Sequence, residues 1–276
     1  MNAAEQTSPH RRERHVGAIV LAAGKGTRMK SDLPKVMHEA FGKPMVRWVV
    51  EVAKLAGADR VTLIIGHGAE LLRRAFASDA GVTFALQDPQ LGTGHAVDQG
   101  RRDFMPLHEG DDVFVLCGDG PLIRPATLAK LLATHRADGA AATLATSISD
   151  DPQGYGRIER DERGQFRRIV EQKDATPEQL AIREVNPSYY CFRVSDLFGA
   201  LSEVDNKNAS GEYYITDVFE LLLKEGKRVS VVDAVPPEDV LSVNTPEQLA
   251  EVSRILASRA NLGSSAEFSP HEARRT

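Results

Sequence analysis

Two cationic side chains lie close to a glycine-rich segment near the start of the chain. Arg28 ends the run Gly24-Lys25-Gly26-Thr27-Arg28, and Lys35 follows shortly after it. Arginine grips phosphate with a planar fork of donors, whereas lysine acts as a point charge. Glycines let the backbone approach a bulky anion with its N–H groups pointing inward. The segment therefore predicts a cradle for the phosphates of a nucleoside triphosphate.

The same segment has a plainer alternative, which is an ordinary turn from strand to helix that uses glycine for its geometry. The segment does not follow the G-x-x-x-x-G-K-[ST] pattern of a Walker loop. It also lacks the third glycine and the later acidic residue of a dinucleotide-binding motif. The glycines alone leave both interpretations open.

One carboxylate, Asp119, stands in a turn directly after a predicted strand. The run from Asp112 to Leu116 is apolar after its first residue, which is typical of a buried strand. Ligands of open α/β sheets bind at the carboxyl ends of the strands. Mg²⁺ takes one or two carboxylates and completes its octahedron with phosphate oxygens and waters. Asp119 is therefore a predicted magnesium ligand; the alternative is an aspartate that only shapes its turn.

Composition excludes several classes of protein. The chain has 276 residues, of which 42% are hydrophobic and 26% charged, and its net charge of -5 gives no basic footprint for nucleic acid. No apolar run approaches the roughly 20 residues of a membrane span. Residues 1–15 lack the apolar core of a secretory signal. Cys117 and Cys191 have no metal-ligand spacing, so reduced thiols in a cytoplasmic protein are expected.

Alternating strand and helix patterns must position these residues. Such alternation predicts βαβ units, and hence an α/β fold with a Rossmann-like mixed, mainly parallel sheet flanked by helices. The predicted strands cover 16–21, 60–65, 82–86, 112–116, 140–146 and 229–232. The predicted helices begin at Pro44 and cover 70–76, 95–104, 124–135, 195–201, 213–224 and 246–260.

Longer strings of sequence resemble a known signature. They are Leu21-Ala22-Ala23-Gly24-Lys25-Gly26-Thr27-Arg28-Met29, Leu33-Pro34-Lys35-Val36-Met37-His38 and Gly42-Lys43-Pro44-Met45. Together they resemble sugar-phosphate nucleotidyltransferases, and most of all the uridylyltransferase domain of the bifunctional N-acetylglucosamine-1-phosphate uridylyltransferase family. The resemblance implies a nucleotide-diphospho-sugar transferase fold, which is GT-A-like. It also implies that UTP and N-acetylglucosamine 1-phosphate react to give UDP-N-acetylglucosamine and pyrophosphate.

The resemblance assigns roles to matching positions. The implied catalytic residues are Arg28, Lys35 and Asp119, and Asp119 would hold Mg²⁺ together with Asn244. The implied substrate-binding residues are Leu21, Ala22, Ala23, Gly24, Lys35, Gln87, Gly92, Thr93, Cys117, Gly118, Gly156, Glu171, Asn186 and Asn244. Within this set, Gln87, Gly92 and Thr93 match the loop that reads uracil. Gly156, Glu171 and Asn186 match contacts to the sugar. The alternative for Asn244 is a cap of the helix predicted to begin at Pro246.

The resemblance also implies a domain organisation. Residues 16–262 would form one nucleotidyltransferase domain with a sugar-binding lobe at about 151–194, between a flexible leader at 1–15 and a flexible tail at 263–276. The acetyltransferase domain of the family consists of hexapeptide repeats, which this sequence lacks, so no acetyl transfer is expected. The expected partners are UTP and a sugar 1-phosphate, with no nucleic acid and no membrane. The sequence identifies no protein partner.

The sequence departs from the family pattern at three places. The family usually has an aromatic residue at Cys117, a branched apolar residue at Gly120, and Thr or Ser followed by Gly where Pro187 and Ser188 stand. These positions match the sugar side, so glucose 1-phosphate and N-acetylgalactosamine 1-phosphate remain alternative substrates. A non-catalytic regulator that binds a nucleotide sugar, and a cytidylyl- or guanylyltransferase of the same fold, are further alternatives.

Overall fold

Strands and helices alternate along the chain in a computed structural model, which describes residues 14–104 and 110–266. The strands are β1 (Val16–Ala22), β2 (Glu39–Ala40), β3 (Lys43–Pro44), β4 (Arg60–Ile65), β5 (Val82–Leu86), β6 (Asp112–Cys117), β7 (Ala142–Ile148), β8 (Gly156–Arg160), β9 (Phe166–Val170), β10 (Glu184–Asn186), β11 (Tyr189–Arg193) and β12 (Val229–Asp233). The helices are α1 (Met45–Leu55), α2 (Ala69–Ala75), α3 (Thr93–Gln99), α4 (Pro125–Asp138), α5 (Pro177–Leu180), α6 (Val194–Leu201), α7 (Asp217–Lys224) and α8 (Pro246–Ala266). Short 3-10 helices cover Thr27–Met29, Lys35–Met37, Arg101–Phe104 and Pro237–Asp239.

A ten-stranded mixed sheet forms the centre of the described part of the chain. Its order is β5-β4-β1-β6-β11-β7-β10-β8-β9, and β12 pairs with β7. The strands β5, β4, β1 and β6 run parallel to one another, and β12 is parallel to β7. The pairings of β11, β10, β8 and β9 are antiparallel. The predicted α/β class with a mixed, helix-flanked sheet is confirmed.

Two hydrophobic cores lie on opposite faces of this sheet. Ala18 and Val20 of β1 face the core covered by α1 and α4, whereas Ile19 faces the core covered by α3, α6 and α7. A parallel strand that is buried on both faces needs apolar residues at consecutive positions. For this reason the apolar runs of β1 and β6 are recognisable in the sequence. None of the described helices combines the length and the apolar character needed to cross a bilayer.

Two predicted helices have different boundaries in the structure. α7 begins at Asp217 rather than Tyr213, because the backbone of Tyr213 is bonded elsewhere. Its N–H donates to the carbonyl of Leu91 (2.9 Å), and its carbonyl accepts from the N–H of Gly94 (2.7 Å). The predicted helix over 95–104 is divided at Gly100 into α3 and a 3-10 helix.

The range predicted as a sugar-binding lobe contains β8, β9, β10 and β11. The first three form the antiparallel end of the sheet, whereas β11 lies between β6 and β7. At the chain ends, residues 1–13 and 267–276 of the predicted leader and tail lie outside the described residues, and α8 extends to Ala266. The domain boundaries stay predictions.

Candidate active site

The carboxyl ends of two neighbouring parallel strands bring the predicted segments together. Leu21 of β1 is in register with Cys117 of β6. The N–H of Gly118 donates to the carbonyl of Leu21 (2.9 Å), so the two chains stay in contact beyond the strands. The glycine-rich segment and the turn that carries Asp119 therefore leave the sheet side by side.

The glycine-rich segment presents free backbone donors. Among the described residues, the N–H groups of Gly24, Lys25 and Gly26 have no acceptor. Gly26 has a φ of 62°, and a side chain there would collide with the stem of Lys35. Glycine is the residue that tolerates both the left-handed backbone and the close approach. The segment thus folds over Lys35 and leaves its donors available to an anion.

Four predicted residues from distant parts of the chain form one connected group. Arg28 Nη2 donates to Asn244 Oδ1 (2.8 Å), and Lys35 Nζ donates to the same oxygen (3.1 Å). Lys35 also forms an ion pair with Asp119, and these two side chains are only 15% and 19% exposed. Partial burial strengthens such contacts because water screens them less. We call these four residues the phosphate-site cluster.

The cap of α8 is made by Thr245 and Gln248 rather than by the side chain of Asn244. Thr245 Oγ1 accepts from the N–H of Gln248 (3.3 Å), and Gln248 Oε1 accepts from the N–H groups of Asn244 (2.8 Å) and Thr245 (3.1 Å). This is the reciprocal arrangement of a capping box. The amide oxygen of Asn244 is therefore left to the cations of the cluster.

Asp119 and Asn244 supply oxygen atoms that converge on one positively charged position, which Lys35 Nζ takes in this structure. A carboxylate and an amide oxygen are donors that small divalent cations accept, and substrate phosphates complete such a site. No group of three or more His, Cys, Asp or Glu that could hold a metal occurs in the described ranges. The donor set fits an ion that binds together with phosphates.

A cleft of about 330 Å³ opens beside the cluster. Ten of the predicted residues line it: Leu21, Ala22, Ala23, Gly24, Lys35, Gln87, Gly92, Thr93, Cys117 and Asp119. The lining also includes Glu212, and it includes Val36, Gln90 and Ala96, which were not predicted. The sequence could have indicated Gln90, because it lies in the same loop as the predicted residue Gln87. In the structure its amide nitrogen donates to the Ala23 carbonyl. We call this space the first cleft.

Gln87 has a fixed orientation in the first cleft. It is 5% exposed, and its Nε2 donates to the carbonyl of Gly92 (2.9 Å). Because a carbonyl can only accept, the nitrogen of the amide must face Gly92. Oε1 of Gln87 has no partner among the described residues, so it remains a free acceptor. Gly92 itself has a φ of 114°, and a side chain there would lie 2.6 Å from the Tyr213 carbonyl oxygen.

The remaining predicted residues lie outside the first cleft. Arg28 and Asn244 line an adjoining cleft of about 530 Å³, which the cluster separates from the first. Glu171 lines a third cleft. Burial raises the pKa of its carboxyl group, and its Oε1 accepts a hydrogen bond from the Thr216 hydroxyl (3.0 Å). Gly156 and Asn186 are paired across β8 and β10. The structure therefore does not bring the three predicted sugar residues together in one cleft.

Cys117 lies between the residues of the first cleft and the predicted sugar residue Glu171. It lines the first cleft, and both Asp119 and Glu171 act electrostatically on its thiol. Burial, with these carboxylates adding to it, raises the pKa of the Cys117 thiol to about 12. The thiol is therefore neutral at physiological pH and does not act as a nucleophile.

Comparison with known proteins identifies the family. The profile of the MobA-like NTP transferase domain matches residues 18–213. The chain belongs to the MobA-like NTP transferase domain family. This NTP transferase chain is 48% identical to the bifunctional protein GlmU of Geobacter metallireducens over 246 residues, which are 89% of this chain and 51% of the relative. It is 46% identical to the protein of the same name from Lactobacillus delbrueckii subsp. bulgaricus, over 89% of this chain and 52% of the relative.

The NTP transferase chain spans about half the length of these relatives. A solved structure of UDP-glucose pyrophosphorylase complexed with UDP-glucose superposes with a TM-score of 0.70 and 19% identity, over 90% of this chain and 100% of that one. At this identity the likeness concerns the fold, and it agrees with the mixed sheet described above.

Proposed function

We propose that this NTP transferase is a uridylyltransferase that joins UTP and N-acetylglucosamine 1-phosphate into UDP-N-acetylglucosamine and pyrophosphate. The observation that carries the proposal is the phosphate-site cluster, in which Arg28 and Lys35 meet Asp119 and Asn244 beside free backbone N–H groups. The similarity to proteins named GlmU supports the choice of reaction. A cytoplasmic location is part of the proposal.

The proposed reaction is a direct displacement at phosphorus. A phosphate oxygen of the sugar 1-phosphate forms a bond to the α-phosphorus of UTP, and the bond from that phosphorus to the bridging oxygen breaks. Pyrophosphate leaves with the electron pair. Arg28 and Lys35 bind the phosphates and stabilise the charge that develops, so positioning and electrostatics supply the catalysis.

Magnesium is the proposed cofactor, with Asp119 and Asn244 as its protein ligands. When bound, Mg²⁺ would neutralise phosphate charge and help to align the triphosphate. The oxygen donors of these residues fit this ion, as described above. Binding of the metal requires that Lys35 leave both oxygens, which a substrate phosphate favours because it offers the ammonium group a new partner.

The geometry of Gln87 supports uracil as the base. Its free Oε1 is an acceptor, and uracil carries an N–H donor at position 3, whereas cytosine has an acceptor there. Placing an acceptor against an acceptor leaves both without a bond, which costs about 1–3 kcal/mol for each buried group. Gly92 and Thr93 are proposed to complete the base site, since they line the same cleft.

The sugar is proposed to be recognised on the other side of Cys117, by Gly156, Glu171 and Asn186. Glucose 1-phosphate and N-acetylgalactosamine 1-phosphate are the competing substrates, because Cys117 and the Pro187-Ser188 pair depart from the family at this side. Each is tested by the same assay as the main proposal.

The test is a turnover assay that crosses UTP, CTP, GTP and ATP with several sugar 1-phosphates and measures pyrophosphate release under Mg²⁺. We expect the highest kcat/KM for UTP with N-acetylglucosamine 1-phosphate. Asp119→Ala is the matched inactive control. Tight binding of a UDP-sugar without any pyrophosphate release would instead identify a non-catalytic regulator, and preference for another nucleotide or sugar would replace the proposed substrate.

A further inference from the structure

The turn between β10 and β11 has an unusual residue at its centre. Pro187 and Ser188 connect Asn186 to Tyr189, and Ser188 has a φ of 65°. Proline followed by a residue with positive φ is typical of the two central positions of a type II turn, where the second position is normally glycine. Ser188 therefore adopts a backbone conformation that serine disfavours. Compared with the glycine that is usual at this position, serine adds a hydroxymethyl group.

The backbone of Ser188 fixes the amide of Asn186. The N–H of Ser188 donates to Asn186 Oδ1 (3.0 Å), and Asn186 Nδ2 donates to the Tyr190 hydroxyl (2.7 Å). Asn186 is only 4% exposed, so few other orientations are open to it. Since a backbone N–H can only donate, the oxygen of the Asn186 amide must face Ser188. The turn thus determines which group Asn186 offers to a ligand.

Ser188 stands opposite a residue that lines the first cleft. Tyr189 is in register with Leu116, so the antiparallel pairing of β11 and β6 places Ser188 opposite Cys117. Ser188 is half-buried, so its side chain keeps contact with solvent.

We infer that Ser188 determines sugar specificity, a role that rests on the proposed function and deepens it. Its hydroxyl bonds to the sugar 1-phosphate at the border between the cluster and Asn186, and its N–H holds the Asn186 amide in one orientation. A hydroxyl can donate and accept, which suits the hydroxyl and amide substituents of a sugar ring. The left-handed backbone is tolerated because strained conformations persist where a functional site requires them.

The experiment compares Ser188→Gly and Ser188→Ala with the wild-type chain. Both variants lose the hydroxyl and keep the backbone N–H, but only glycine relieves the left-handed conformation. We expect both to raise KM for N-acetylglucosamine 1-phosphate by about twofold to tenfold, the range for one neutral hydrogen bond, while KM for UTP is unchanged. The ratio of kcat/KM between this substrate and glucose 1-phosphate should change as well.

Thermal unfolding separates this role from a structural one. Ser188→Gly should have a Tm equal to or above that of the wild type despite its weaker sugar binding, whereas a residue with only a structural role would change KM for both substrates together. Phe41→Gly is the control, because Phe41 also has a positive φ (49°) but lies in the hairpin between β2 and β3. We expect it to leave KM for the sugar phosphate unchanged.

Each outcome decides a different point. If the wild type turns over sugar phosphate and both Ser188 variants match it in KM and in the ratio of kcat/KM, the role of Ser188 is refuted and the proposed function stands. If Ser188→Ala fails to fold, Ser188→Gly alone gives the same decision. If the wild type releases no pyrophosphate with any sugar 1-phosphate, the proposed function fails and the inference fails with it.

Discussion

Replacing Lys35 by methionine removes one positive charge from the phosphate-site cluster and keeps most of the side-chain volume. Lys35 Nζ contacts both Asp119 and Asn244, and the side chain is only 15% exposed. Loss of one well-placed donor to the charge of a transition state costs about 2.7–4 kcal/mol, which corresponds to a fall in kcat of about 100- to 1000-fold. We expect Lys35→Met to show a loss of this size.

The fold should survive the same substitution. The ion pair with Asp119 is neither fully exposed nor fully buried, so its loss should lower the free energy of unfolding by roughly 1–2 kcal/mol. For a domain of this size that corresponds to a decrease in Tm of about 2–8 °C. Lys43→Met is the matched control, because Lys43 is paired with Glu51 (2.5 Å) outside the first cleft; its kcat should equal that of the wild type.

The assay measures initial rates of pyrophosphate release against UTP and sugar phosphate, with Tm measured on the same samples. A kcat of Lys35→Met within fivefold of the wild-type value would refute the assignment of Lys35 to the transition state. A rise in KM for UTP with kcat unchanged would show that Lys35 binds ground state and transition state equally.

Two further predictions concern the base and the pH dependence of stability. Gln87→Ala should lower kcat/KM for UTP about tenfold and reduce the preference for UTP over CTP; an unchanged preference would exclude Gln87 from base selection. Burial raises the pKa of Asp217 to about 6, and further carboxylates add to the rise: Glu171, Glu220, Asp205 and Asp174. Ionisation of a carboxyl whose pKa is raised on folding lowers stability, so the penalty is absent below about pH 4 and complete above about pH 6. Asp217→Asn should therefore stabilise the chain by about 1 kcal/mol at pH 7, after allowance for solvent screening, and not at pH 4; a difference in Tm that does not vary with pH would contradict this account.

The strands that could be predicted from the sequence are those buried on both faces of the sheet. β1 and β6 are buried on both faces, so their apolar runs identify them in the sequence. The start of α7 was not predictable, because Tyr213 forms backbone bonds to Leu91 and Gly94, which are far away in the chain. The residues near Tyr213 in the sequence do not indicate these distant partners.

The residues of the candidate site also divide into those that the sequence could locate and those that it could not. Residues next to strand ends, such as Asp119, could be located from the sequence because the sheet edge collects them. The separation of Glu171 from the first cleft depends on the antiparallel end of the sheet, which no local pattern describes. The sequence around Asn244 does contain a signal about the cap of α8. Thr245 and Gln248 have the spacing of a capping box, which indicates that they, and not Asn244, cap α8.

The ion pair between Lys35 and Asp119 neutralises the charges of both side chains. Under the proposed function, the ammonium group of Lys35 takes the position proposed for a metal cation, and the carboxylate of Asp119 holds an ammonium group that a triphosphate would bind. A metal ion and a nucleotide that bind together would give both side chains a new partner, whereas either ligand alone would leave one of the two side chains unpaired. The two ligands should therefore bind with positive coupling, each raising the affinity of the other by the same factor. Calorimetric titration of UTP with and without magnesium would measure that factor, and a value of one would show that the resting pair has no such consequence.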